Sequence, residues 1–381
     1  MVFVFWFSIF LMFYIFAGYP LLLLVWKKLK KSKYQAAATG NENESLLPTV
    51  EVILIVRNVS SIILKKLDSL FAIDYPKDKF KIIIVSDNST DDTVKKINSL
   101  NNKSIKCLDN QHKSSKSAGL NQAISISDAE ILLLTDARQQ HEPSSLKYLV
   151  AHFKDKNIGA VSGELVLIDP ETNEFSKGMD AYWRYEKFIR GLESDIDSVA
   201  GVTGAIYAMR REYYQPIPNE TLLDDVLIPM NLILKSKKVK FESKAIAYDV
   251  PSDDLAREKI RKTRTLAGNW QLLELNPSFL NPMKNSIWLQ FMSHKILRLI
   301  SPMLLVLILI SNFYIIEVSH FYIMTFMAQI IAYVAVIVGE FNSNLSNFKL
   351  LKIWRSFLVL MWFTWLGFWS FITRQHLAIW K

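Results

Sequence analysis

One cysteine, Cys107, stands among 381 residues, which rules out a disulfide within the chain and leaves no thiolate cluster for zinc or an iron–sulfur centre. That usage suits a reducing compartment. Charge is absent from Val2 to Trp26, and a cleaved export signal is disfavoured there because no basic segment precedes the run and no small-residue cleavage site follows it. The formal net charge is +9, but much of it lies beside apolar segments and the middle of the chain lacks a basic stripe interleaved with aromatics, so no nucleic-acid partner is expected. Inverted repeats of long apolar segments are also missing, which argues against a transporter.

What is present begins with that first apolar run, long enough to cross a bilayer and followed at once by Lys27, Lys28, Lys30, Lys31 and Lys33. By the positive-inside rule the segment that follows is cytoplasmic. Near the other end, Ile296 to Ile316 and Phe321 to Gly339 read as a tight membrane hairpin, and Ile353 to Thr373 as a further crossing or an interfacial helix. Ser286 to Leu297 mixes apolar residues with His294 and Lys295 and suits an amphipathic helix on the membrane surface or an ordinary packed one. The expected division is a membrane helix over 1–27, a basic and polar linker over 28–47, a cytoplasmic domain over 48–276, an amphipathic interface segment over 277–298 and a C-terminal membrane region over 299–381. The protein is therefore expected to be integral to a membrane, with membrane lipids as partners.

In the middle, apolar strands alternate with helices: strands at Val50 to Val56, Lys81 to Ser86 and Ile131 to Thr135, an edge strand at Ile105 to Leu108, and helices at Ser60 to Ala72, Thr93 to Leu100 and Lys116 to Ser125. Runs of Ile, Leu and Val without alternation suit parallel strands covered on both faces, so the fold class expected is α/β with a mostly parallel sheet, flanked by membrane helices. Further on, Ala160 to Leu167 reads as a strand, Met179 to Gly191 as an aromatic helix, and Gly201 to Met209 as a glycine-hinged loop entering a strand.

Three apolar runs end in aspartate, at Asp87, Asp136 and the Asp224-Asp225 pair. In parallel sheets ligands collect at the carboxyl ends of strands, where a carboxylate meets a ligand without the full cost of burial. The bland alternative is helix capping, most plausible for Asp91 or Asp92 ahead of Val94 and weaker for Asp87 and for the Asp224-Asp225 pair. Gly201 and Gly204 either let backbone approach a ligand or serve a plain turn.

The order of these motifs over Pro48 to Gln271 resembles the family 2 glycosyltransferases with a GT-A fold, specifically the membrane-embedded branch that includes cellulose, hyaluronan and poly-N-acetylglucosamine synthases. The resemblance implies that Asp87 contacts the nucleotide base. Lys116, with Asn121 after it, matches the Gly-Lys and Leu-Asn pair, with Ser115 where glycine is usual. Asp136 begins the Asp-x-Asp motif that holds Mg²⁺ or Mn²⁺, but Arg138 replaces its second carboxylate. Either the metal is held by Asp136, diphosphate and water, or Arg138 itself neutralises phosphate charge. Asp225 matches the catalytic base of an inverting transfer, with Asp224 assisting. Arg264 matches the arginine of the Gln-x-x-Arg-Trp motif and is expected on the leaving diphosphate, while Arg261 and Thr265 replace its glutamine and tryptophan. Trp270, five residues on, lies on another helix face. Asn58 fits the aromatic-Asn-Glu motif of the first strand; Arg57 and Val59 do not.

The expectation is an inverting transferase moving a sugar from a nucleotide-sugar donor, UDP-linked, to a growing polysaccharide or glycan. Single-sugar transfer to a membrane lipid is the alternative favoured by the missing tryptophan. From another class, the departures at Arg57, Arg138 and Thr265 suit an inactive membrane scaffold subunit.

Overall fold

The computed structural model describes residues 1–30, 44–112, 114–168, 180–250, 255–339 and 348–375. Most of the polar linker expected before Pro48 and the first residue of the helix expected from Met179 lie outside these.

Eight strands form one sheet: β1 (Val50–Val56), β2 (Phe80–Asp87), β3 (Ile105–Asn110), β4 (Ile131–Leu134), β5 (Gln140–His141), β6 (Ile158–Leu167), β7 (Tyr207–Arg210) and β8 (Lys238–Asp249), in the order β3-β2-β1-β4-β7-β6-β8-β5. The pairs from β3 to β4 are parallel, as is β6 with β8, while β7 runs antiparallel between β4 and β6 and β5 runs antiparallel to β8. The sheet is thus mostly parallel, with β3 at its edge as the sequence predicts.

The apolar runs of β1 and β2 fail to alternate because both of their faces are covered. Val50, Val52, Leu54, Ile82 and Ile84 pack with Ile63, Leu67 and Leu70 on one face. Ile53, Ile83 and Val85 pack with Leu120, Ala123 and Val226 on the other. Burying each such aliphatic side chain is worth about 1.5–3 kcal/mol, so these faces fix which residues reach the strand ends.

Among the described residues four helices are long and apolar enough to cross a membrane: Val2–Lys30, Trp288–Phe313, His320–Gly339 and Leu351–Ile372. The first two are fastened to the sheet domain at one helix. Through the helix Asp180–Ile196, Glu193 Oε1 takes hydrogen bonds from Tyr19 (2.6 Å) and from His294 Nδ1 (2.9 Å), and Glu186 Oε2 lies 2.9 Å from His294 Nε2. With both ring nitrogens on carboxylates, His294 acts as a double donor. The segment expected to be amphipathic buries Ile287, Gln290, Phe291, Ser293 and His294, so its inward face packs on the domain.

The last apolar helix lies along the helix Leu255–Leu275. A Cβ on Gly367 would fall 2.5 Å from Leu266 Cβ, and Trp270 meets Phe368 edge-on at 5.3 Å. Arg374 grips Glu274 with two bonds of 2.7 and 2.8 Å beyond the helix end.

Candidate active site

Asp87 is the last residue of β2 and is 1% exposed. Its Oδ1 accepts from the backbone N–H and the hydroxyl of Ser114, at 2.7 and 2.9 Å. Its Oδ2 is buried with no partner among the described residues. A buried acceptor without a donor costs about 1–3 kcal/mol, which a ligand N–H would relieve. Beside it Asn58 (φ 51°) and Asn88 (φ 54°) adopt left-handed backbone that asparagine tolerates best among non-glycine residues. The Asn58 side chain accepts from Thr90 N at 2.8 Å, binding the loop after β1 to the loop after β2. Asn58 therefore shapes this end of the site through Thr90.

Capping accounts for Asp91. It accepts from the backbone of Ser60 (2.9 Å) and Thr93 (3.0 Å), and although burial works the other way these hydrogen bonds hold its carboxyl below the usual range.

Lys116 opens the helix Lys116–Ser125, whose N-cap is Ser115, accepting from Ala118 N at 3.1 Å. The serine in place of glycine is thus a cap, and its hydroxyl also donates to Asn219 O. Close packing sets the helix position: a Cβ on Gly119 would fall 2.8 Å from Ile55 Cγ2. The Lys116 ammonium bridges Asp136 Oδ1 (2.9 Å) and Asp224 Oδ2 (3.2 Å). Burial alone would lower its pKa, but Asp136 and Asp224 overcome that and raise it, so the side chain stays charged. Asn121 joins Tyr214 (2.6 Å) and both backbone groups of Ile217.

Asp224 and Asp225 begin the helix Asp224–Leu234, whose N-terminus favours negative charge. The Asp225 backbone carbonyl accepts from Val202 N at 2.9 Å, locking the glycine loop to the helix start. The two glycines divide the expected roles: Gly201 packs on Val226, whereas a Cβ on Gly204 would sit 3.3 Å from Asp136 Oδ2 and 3.8 Å from Asp225 Oδ2. Glycine at 204 leaves the space between the two carboxylates open. Burial and then the Asp224 charge push the Asp225 carboxyl up to about 6, partly offset by Lys116.

Arg138 is turned toward β8: its Nη2 lies 2.7 Å from Asp249 Oδ2, which also accepts from Gln139 Nε2 at 2.8 Å. The guanidinium remains half exposed and keeps N–H groups for a ligand. Beneath this loop lies a residue the sequence did not single out. Lys66 is fully buried and donates to Thr135 Oγ1 and to the Gln139 carbonyl, each at 2.8 Å. Burial lowers its pKa to about 7 against the pull of Asp136 and Asp249. Both ends of the Asp136-x-Arg138 turn are therefore tied to one ammonium.

Arg264 is half-buried on the helix Leu255–Leu275, one turn before Gly268. A Cβ on Gly268 would fall 2.6 Å from Leu223 Cγ, and Gln271 bonds Leu222 N (3.0 Å) and Glu220 O (2.9 Å). This helix thus holds the chain entering Asp224. Thr265 is exposed and bonds Arg261 O, and Trp270 is packed on Phe368, so neither offers an aromatic floor.

Asp136 is a hard oxygen donor, 44% exposed at its side chain. Among the described residues no group of three or more His, Cys, Asp or Glu could hold a metal. The donor set fits a divalent ion bound by one protein carboxylate, with phosphate and water completing its shell.

Residues 51–217 match the glycosyl transferase family 2 model. The beta-monoglucosyldiacylglycerol synthase of Nostoc sp. (strain PCC 7120 / SAG 25.82 / UTEX 2576) is 25% identical over 200 residues, covering 51% of this chain and 43% of that protein. The probable glycosyltransferase YdaM of Bacillus subtilis (strain 168) is 24% identical over 238 residues, covering 60% of this chain and 57% of that protein. The chain spans about half the length of the curated relatives it matches. Among solved structures, the mannosyltransferase PcManGT from Pyrobaculum calidifontis, in complex with GDP-Man and Mn²⁺, superposes with a TM-score of 0.70 at 19% identity, covering 96% of this chain and 97% of that one.

Proposed function

We propose, from the premise that residues 51–217 form a glycosyltransferase family 2 domain on a GT-A fold, that this protein is a membrane-bound inverting glycosyltransferase. It moves one sugar from a nucleotide-sugar donor, UDP-linked, to a membrane lipid. Its catalytic domain, residues 48–276, faces the cytoplasm.

The observation that carries the lipid acceptor is the packing in series behind the carboxylates. Leu223, next to Asp224, touches Gly268, and two residues before Gly268 on the same helix Leu266 touches Gly367 of the last apolar helix. This packing sets the last apolar helix behind the chain that enters Asp224, so an acceptor held in a bilayer would be presented on this side of the site. The diacylglycerol-linked product named for the Nostoc relative supports the same reading. Elongation of a glycan, the first expectation, loses support because Thr265 and Trp270 leave no aromatic platform for a sugar chain.

In this reading Asp87 Oδ2 accepts from the nucleotide base and Asn58 fixes the loop beside it. Asp136 would hold Mg²⁺ or Mn²⁺, which would supply positive charge to neutralise the diphosphate. Arg138, steadied by Asp249, donates to phosphate oxygens, and Arg264 meets the departing nucleoside diphosphate. Asp225 takes the proton of the acceptor hydroxyl as its oxygen bonds to the anomeric carbon; the bond from that carbon to the diphosphate oxygen breaks and the charge leaves with the nucleotide. A carboxyl raised to about 6 is a better base than an ordinary one and is still ionised at neutral pH. Asp224, paired with Lys116, orients it.

The test is transfer by purified protein in lipid nanodiscs with a panel of nucleotide sugars, products resolved by mass. One added sugar on a lipid is expected. A ladder of products restores elongation, and donor turnover absent with every nucleotide sugar restores the scaffold subunit.

A further inference from the structure

Tyr207, on β7, lies opposite Leu134 of β4 and Ser162 of β6, in the middle of the sheet. Its ring is 1% exposed and packs in the apolar layer under the helices. Its hydroxyl, by contrast, is buried with no hydrogen-bond partner among the described residues. Buried hydroxyls are rarely left unpaired, and an orphan in a native core asks for a ligand or an ordered water.

Tyr207 also lines a small cleft with Lys116, Thr135, Gly204 and Asp224, the rest of its wall being the aliphatic Ile53, Ile55, Leu120 and Leu134. Burial, followed by the charges of Asp224, Tyr214, Asp225 and Asp136, raises its pKa well above the usual value, which keeps the O–H as a donor. Through Gly204 the cleft adjoins the gap between Asp136, the carboxylate proposed for the diphosphate, and Asp225, proposed as the base: a Cβ there would sit 3.3 Å from Asp136 Oδ2 and 3.8 Å from Asp225 Oδ2. In an inverting transfer the anomeric carbon must lie between those two groups, because the acceptor oxygen attacks on the side opposite the leaving phosphate. A buried hydroxyl beneath that gap would meet the donor's sugar ring.

We propose that the Tyr207 hydroxyl hydrogen-bonds a hydroxyl of the donor sugar and is a specificity-determining residue of this enzyme, an inference that rests on the donor-binding reading above.

Tyr207→Phe removes only the orphan O–H, so it separates a structural role from a functional one. In full-length protein in nanodiscs, thermal stability is expected to stay the same or rise, and calorimetric UDP affinity to stay unchanged. Transfer is measured with UDP-glucose, UDP-galactose, UDP-N-acetylglucosamine and GDP-mannose. The kcat/KM for the donor the wild type prefers is expected to fall about tenfold or more, with a smaller fall for poorer donors. Monodeoxy analogues of the preferred donor provide the second arm. One of them should lose as much with the wild type as the variant loses with the parent sugar, and lose nothing further with the variant.

Variant activity within twofold of wild type across the panel, or full activity of every monodeoxy analogue with the wild type, would mean that the hydroxyl meets only an ordered water and would overturn the assignment. Failure of the wild-type protein to bind UDP or any of the four donors would instead overturn the donor-binding reading itself.

Discussion

On the side of β1 and β2 the polar groups are held by near neighbours in the loops: Asp87 by Ser114, Asn58 by Thr90, and Asp91 by Ser60 and Thr93. On the side of β6 to β8 they are held from a distance, by Lys116 across to Asp224, Asp249 across to Arg138, and Gln271 across to Leu222. The first side is a set of turns preorganised over a rigid sheet. The second is a joint between elements, and the apolar helices are part of that joint. Damage to the first side should therefore be local, whereas damage to the second should travel.

Asp225→Asn is the strongest test of this difference. Loss of a general base costs about 10²–10⁴-fold in rate, so transfer should fall by that much while UDP affinity holds. Stability moves the other way. An aspartate whose pKa is raised from 3.8 to about 6 binds more protons folded than unfolded in that window, so stability falls as pH rises from about 4 to about 6. At pH 7 the asparagine variant should be more stable by about 1–2 kcal/mol, read from urea unfolding. In the wild type, kcat/KM should climb with pH through about 6 as Asp225 ionises, and Asp224→Asn should move that rise to lower pH.

Lys66→Met comes next. It removes the bonds to Thr135 and Gln139, and UDP affinity measured by calorimetry should weaken about tenfold if the loop is held by that ammonium. An unchanged affinity would show that Asp249 holds the loop alone.

Gly268→Ala sharpens the comparison at the joint. Its Cβ would press on Leu223 at 2.6 Å, and overpacking of this kind costs about 1–3 kcal/mol. The kcat should fall with it, because Leu223 leads into Asp224 and the proposed base Asp225. The control is Gly191→Ala, which meets nothing within 4 Å and should stabilise its helix by about 0.5–1 kcal/mol. Smallest of all, Lys95→Ala breaks an exposed pair with Asp92 at 3.0 Å and should leave melting and turnover as they are.

The same division explains what the sequence revealed. β1, β2 and β4 were legible because burial on both faces demands unbroken aliphatic runs, and the helix Lys116–Ser125 agrees with its predicted bounds. β8 was not: Lys238, Lys240 and Glu242 alternate with Val239 and Phe241, but Ser243 and Lys244 break the alternation after five residues, too short a run to mark a twelve-residue strand. Nothing in the sequence sets Lys66 apart from Lys65 beside it, and only contact with Thr135, 69 residues away, makes it a core residue. The segment before the apolar hairpin had a pattern equally suited to a lipid surface or a protein surface, and Glu186 and Glu193 lie a hundred residues upstream of the His294 they grip. Of the aspartates, sequence order separated Asp87, Asp136 and Asp225, while Asp249 carried no motif.

The contact between Arg138 and Asp249 also couples two positions far apart in the chain. Aspartate in place of Arg138 alone would set a new carboxylate against a buried one, and losing Asp249 alone would leave a guanidinium and the Gln139 amide without their shared acceptor. Each single change therefore costs more than its own contact, and the two effects are not additive. A charge exchanged at one of these positions is tolerated best when the other changes with it.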